Sequence, residues 1–200
     1  MTPAPGLARI CAARAGDPEA VAALWRLHRP WVAAVLLARM PQGAELDDLL
    51  QEVATTLVAR ISDLREPERF EPWLRAVALN AALTAGRRER TRGRARSLAT
   101  GDAETADPSA TTASDLAETR ERTDRVLQAA RGLPAEYREP LLLRAVNGAS
   151  QSSIARQLGV TEAAVEARLA RARRLLREQL ARIEAAPPAV RRASSGPQDQ

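Results

Sequence analysis

Two hundred residues with a formal net charge of +5, 45% of them hydrophobic and 28% charged, make room for one domain or two small ones. Every basic residue is arginine, and there is one cysteine, Cys11, and one histidine, His28. An internal disulfide and a cysteine-built zinc site are therefore excluded, and catalysis based on His, Cys or a metal has little support. No apolar run approaches the length of a membrane span and the N-terminus lacks a signal-peptide core, so a cytoplasmic chain without membrane insertion is expected.

The abundance of arginine and alanine reads as the bias of a GC-rich genome, so the placement of charge says more than its amount. Residues 1–97 hold 15 Arg against 11 acids and residues 125–200 hold 13 against 7, whereas residues 98–124 hold 2 against 7. Two basic blocks with an acidic connector predict two modules that face nucleic acid.

Taken in order, residues 1–17 read as a leader, loose over its first eight positions. Asp17-Pro18-Glu19 then starts a helix as cap, first position and dipole partner. Val21, Leu24, Trp25, Trp31 and Val35 give it an apolar face that Pro30 should kink or divide, and His28 among them reads as a packing residue. After the Pro41-Gln42-Gly43 turn, Leu46, Leu49, Leu50, Val53, Leu57, Ile61 and Leu64 form the most regular helical stripe in the chain. Asp47, Asp48, Gln51 and Glu52 stand opposite it. Asp48 and Glu52 share a face but lack further ligands for a metal, which leaves a solvated face or a docking surface for a basic partner. Phe70, Trp73, Leu74, Val77, Ala78 and Ala81 make another stripe, running into Gly86 and six arginines between Arg87 and Arg96. So dense a cluster calls for an anionic partner.

Residues 97–119 lack periodicity and are rich in Ala, Thr, Ser and Asp, the composition of a flexible acidic linker. Helix returns near Glu121 and again after Pro134, where Leu141, Leu142, Leu143 and Val146 supply core. Ser150 caps a short helix with Ile154, Ala155 and Leu158 on its inner face, Gly159 reverses the chain, and Thr161 caps a longer helix with Glu162 in its first turn. Val165, Leu169, Ala172 and Leu176 form its stripe, and Arg168, Arg171, Arg173, Arg174 and Arg177 crowd the remainder. Small residues at Ala155 and Gly159 allow the steep crossing of a helix-turn-helix, whose second helix would enter a DNA major groove. A tail over 183–200 is expected to be disordered. The expected fold class is all-α: two small helical domains, 18–96 and 120–182, joined by the linker.

The complete order resembles bacterial sigma factors of the extracytoplasmic-function branch. Glu45–Val53 (ELDDLLQEV) is similar to the acidic segment of that family's first conserved domain. Phe70–Arg90 (FEPWLRAVALNAALTAGRRER) is similar to its Phe-x-x-Trp-Leu…Asn…Arg-Arg helix, and Leu133–Arg177 to its second domain. The resemblance implies that Asp48, Leu49, Gln51 and Glu52 dock on the RNA polymerase core, at the clamp helices of the largest subunit, with the flap as a further contact. It implies that Arg75, Asn80, Arg87 and Arg88 bind the −10 promoter element and hold its non-template strand open. Reading of the −35 element would fall to Gln151, Ser152, Arg156, Thr161, Glu162, Ala163, Glu166, Ala167, Arg168 and Arg171, the first three at phosphates. The linker would thread through polymerase channels built for nucleic acid. The same resemblance implies an anti-sigma factor as a partner, and no cofactor, metal or catalytic residue. The chain departs from the family at Ala54-Thr55-Thr56, where aromatic residues are usual, and at Glu166, where Lys or Arg is usual. That carboxylate could accept from a cytosine amino group or weaken contact with phosphate. The competing readings are a freestanding helix-turn-helix regulator that never engages polymerase, and a metal-dependent nuclease using Asp47, Asp48 and Glu52.

Overall fold

A computed structural model describes residues 5–98 and 114–185. They are all-α: α1 (Pro5–Arg14), α2 (Pro18–Arg39), α3 (Leu46–Arg60), α4 (Phe70–Leu98), α5 (Ser114–Arg131), α6 (Ala135–Asn147), α7 (Gln151–Leu158) and α8 (Glu162–Ala185), with short 3-10 turns at Ile61–Asp63 and Pro67–Arg69. The helices form two sets, α1–α4 and α5–α8.

The segment expected as a leader is largely helical. Pro5 occupies a first helical position, where a missing N–H is no loss, and Ala13 is buried where α1 packs on α2. Asp17 caps α2 through Oδ1, accepting from Glu19 N at 2.9 Å and Ala20 N at 3.3 Å. Pro30 does not divide that helix, because packing over the following two turns holds it in register. The ends of the expected linker are helical as well. Alanine and arginine propagate α4 to Leu98, and α5 starts at Ser114. The rest of that linker, 99–113, and residues 186–200 of the expected tail lie outside the described residues, whereas 183–185 end α8.

Every residue from Trp31 to Ala38 is buried, so the second half of α2 is covered on all sides. On one side lie Leu50, Val53 and Leu57 of α3 and Phe70, Leu74 and Ala78 of α4; on the other lies α6. One apolar cluster therefore continues from the first set of helices into Leu142, Leu143, Ile154, Val165 and Leu169 of the second. The two sets pack face to face along α2 and α6. His28 belongs to this packing: its Nδ1–H donates to the Leu24 carbonyl at 2.9 Å and its ring meets Phe70 edge-on at 5.1 Å.

Candidate nucleic-acid interface

The helix-turn-helix is built by local chemistry. Ser150 Oγ accepts from Ser153 N at 3.1 Å and Thr161 Oγ1 from Ala164 N at 3.2 Å, each satisfying an amide that the helix start leaves open. Between them Gly159 adopts φ +65°, the left-handed conformation that glycine accepts without steric cost, and Gly148 does the same at the end of α6. Ile154, Ala155, Val165 and Leu169 close the interior.

At about 100° per residue, Ala163, Ala167 and Ala170 fall opposite the buried stripe of α8. All three are exposed. This strip of small side chains would let the helix axis come close to base edges and present methyl groups to thymine. Glu162, Glu166 and Arg171 flank it in solvent, with Thr161, Gln151, Ser152 and Arg156 exposed nearby. The sequence reading passed over Ala170, although its spacing of three and seven residues from Ala167 and Ala163 was there to be read. Arg168 differs from its neighbours. It lies within about 70° of the apolar stripe, is half-buried, and lines a cavity of about 360 Å³ between the two sets of helices.

In the first set, Asn80, Arg87 and Arg88 are exposed on α4, Asn80 and Arg87 on nearly the same side of the helix. Arg75 is rotated from them by about 120–140° and points into the seam, where it pairs with Glu139 of α6. It therefore does not share a surface with the other residues expected at the −10 element. On α3, Asp48 and Gln51 are exposed and Glu52 is partly so, but Leu49 is 4% exposed and packs in the core. Leu49 positions the acidic face; it is not free to dock on a partner. Arg88 Nη1 of α4 lies 3.6 Å from Glu52 Oε2, and Arg29 Nη2 of α2 lies 3.2 Å from Asp47 Oδ1, so the acidic face of α3 meets arginines from both neighbouring helices. Glu89, the acid within the arginine cluster, accepts from Gly43 N at 3.2 Å and ties the α2–α3 turn to α4. Among the described residues, no three of His, Cys, Asp and Glu converge as metal ligands.

The seam holds what the sequence reading missed. Glu139 is the one buried charged residue among those described, 2% exposed. Its Oε2 accepts from Arg39 Nη2 at 2.6 Å and Nε at 3.2 Å, while Oε1 accepts from Arg75. Trp31 Nε1–H donates to Gln157 Oε1 at 2.8 Å, and Arg138 donates to the Ala38 carbonyl at 3.1 Å and, from Nη2, to the Leu133 carbonyl at 2.7 Å. Burial, with Arg39 and Arg131 nearby, holds the Arg138 guanidinium below the ordinary arginine range. A signal for Glu139 existed: it stands three and four residues before Leu142 and Leu143, on the buried side of α6. Its partners lie 64 and 100 residues away, and no local pattern names them.

Comparison with known proteins assigns both sets of helices. Residues 24–92 match the family model for sigma-70 region 2, and residues 123–176 match that for sigma-70 region 4. Over 171 residues, 84% of the chain, it is 33% identical to "Probable RNA polymerase sigma factor RfaY" of Xanthomonas campestris pv. campestris, of which the match spans 42%. It is 30% identical, again over 171 residues, to RNA polymerase sigma factor CarQ of Myxococcus xanthus, covering 86% of this chain and 95% of CarQ. Among solved structures, CnrH in complex with the cytosolic domain of CnrY shares the fold, with a TM-score of 0.59 over 88% of this chain and 97% of that one at 24% identity. No helix among the described residues is long and apolar enough to cross a membrane.

Proposed function

The chain belongs to the sigma-70 family of RNA polymerase sigma factors, and we propose from that premise that it directs a polymerase core to its promoters, with the bond-making chemistry left to the polymerase. The observation that carries this reading is the pairing, in one chain and in family order, of a region 2 match bearing the acidic α3 face with a region 4 match whose α8 face is exposed. As a subunit of polymerase, the protein would act in the cytoplasm.

Each surface then has a physical task. Asp48, Gln51 and Glu52 present acid on a helix anchored by Leu49, Leu50 and Val53, a surface suited to a basic helical partner on the polymerase core. Asn80, Arg87 and Arg88 would meet the −10 element. Guanidinium groups neutralise the backbone of the displaced strand, and Asn80 can donate to and accept from an unpaired base. The two tasks would fall to residues 18–96 and 120–182. On α8, Thr161 to Arg171 would meet the −35 element, with Ala163, Ala167 and Ala170 nearest the bases and Arg171 at the backbone. Glu166 accepts but cannot donate, which favours an exposed cytosine or adenine amino group beside it. An anti-sigma protein is the further partner this reading carries.

The test is reconstitution with a sigma-free polymerase core. The protein should co-purify with core and start transcripts at defined sites, and Asp48→Arg with Glu52→Arg should abolish both while leaving helical content unchanged. Failure of core to capture the wild-type chain would favour a freestanding regulator instead.

A further inference from the structure

We propose that the groove between α1, α2, α3 and the Ile61–Asp63 turn is a binding site for a small aromatic carboxylate, with the Arg14 guanidinium holding the acid and the ring lying beside Trp25. The site goes beyond the sigma-factor reading and does not depend on it.

The groove encloses about 370 Å³, inside the range of about 300–1,000 Å³ in which small-molecule sites are built. Its space comes from side chains that stop short: Ala13 near the end of α1, Gly16 in the turn after it, Ala22 on α2 and Ala54 on α3. Leu57 and Ile61, 1% and 3% exposed, close it on the core side, and Trp25 is half-buried along one wall. Val58 stands at the rim in solvent, so the groove is open to entry. The wall from Ala13 to Ala22 precedes the region 2 match, which begins at residue 24. Much of the site is therefore built by chain that lies ahead of the family pattern.

The polar side chains of this lining are Arg14, Trp25 and Ser62, and no carboxylate is among them. A guanidinium and an indole N–H only donate, so the groove offers donors to an acceptor it does not itself contain. The Arg14 side chain makes no hydrogen bond or ion pair with any other described residue, and its Nε is buried without an acceptor. The acids beside the lining segments are engaged elsewhere. Asp17 Oδ1 accepts from Glu19 N and Ala20 N, and Asp63 Oδ2 lies 3.5 Å from Arg60 Nε. A carboxylate has two oxygens that match the guanidinium fork, and it would give Arg14 the acceptor that the chain withholds. One cation in an otherwise apolar groove matches one negative charge on an apolar body. The indole favours a ring as that body, because aromatic pairs gain from offset or edge-on contact and a rigid ligand loses little rotamer freedom on binding.

Isothermal titration calorimetry of the full chain compares 2-naphthoate with the neutral 2-naphthylmethanol. Wild type should bind naphthoate at least about tenfold tighter than the alcohol, the worth of a hydrogen bond to a charged group. Arg14→Gln should erase that preference and leave binding of the alcohol unchanged. Arg9→Gln removes the same charge from an exposed position on α1 and should bind both as wild type does. Ala54→Leu fills the groove and should weaken both about tenfold or more. If circular dichroism shows that this variant loses helix, Ala22→Leu, at an exposed position on the opposite wall, carries that arm instead. The proposal is overturned if wild type binds naphthoate no better than the alcohol, if Arg9→Gln costs as much as Arg14→Gln, or if the filled groove binds naphthoate as before.

Discussion

Arg171 and Arg138 belong to the same half of the chain and occupy opposite surroundings. Arg171 stands in solvent on the outward side of α8, next to a strip of alanines. Arg138 lies on the inward side of α6, where it donates to the carbonyl groups of Leu133 and Ala38. Both are arginines in a basic block, and charge counting treats them alike. The difference shows that an arginine here can be a hand held out to an absent anion or a strut whose donors are already spent. Arg39 and Arg75 sit with the struts at the seam, Arg168 lines the cavity beside them, and Arg87 and Arg88 belong with the exposed group.

That contrast can be broken at its base. Ile154 is fully buried beneath both faces of the helix-turn-helix. Ile154→Ala should cost about 2–5 kcal/mol in thermal unfolding and remove DNA binding and seam packing together. A variant that lost only one of the two would show the faces to be independently supported. Next in size, Arg138→Met keeps the apolar stem and deprives two carbonyl groups of their donor, which should cost about 1–3 kcal/mol in denaturant unfolding. Ser150→Ala removes the α7 cap seen at Ser153 N and should lower stability by about 1 kcal/mol, read in the same titrations.

The mirror of Arg138→Met is Arg171→Met. Stability should stay within about 0.5 kcal/mol of wild type. In filter binding to promoter DNA, the slope of log affinity against log salt should flatten by about 0.9, one phosphate's worth. An unchanged slope would remove Arg171 from the backbone contacts, and a large loss of stability would move it among the struts. The smallest effect belongs to the surface pair of Arg29 and Asp47, whose side chains are 53% and 90% exposed. Arg29→Ala should change stability by less than about 1 kcal/mol.

The two Pro-containing helices show how local reasoning and packing divide the work. Pro30 reads as an interruption, yet α2 runs through it, and α6 likewise runs through Pro140. Each proline deletes one intrahelical hydrogen bond, while the burial of Trp31 to Ala38 and of Glu139, Pro140, Leu142 and Leu143 holds the flanking turns against the other set of helices. The leader was misjudged for the related reason that α1 is short and weakly amphipathic, and its packing on α2 and on the two 3-10 turns makes it a helix worth keeping.

What the sequence determined by itself was everything governed by neighbours within a turn or two. The caps at Asp17, Ser150 and Thr161, the reversal at Gly159, the helical stripe from Leu46 to Leu57 (Ile61 and Leu64 are buried beyond the end of α3) and the outward set on α8 are consequences of spacing and side-chain chemistry. Tertiary structure alone decided which arginines are free and that Glu139 holds Arg39 and Arg75. The Glu139 contacts join residues 64 and 100 positions apart, and helical periodicity carries no information about which distant surface a given face will meet.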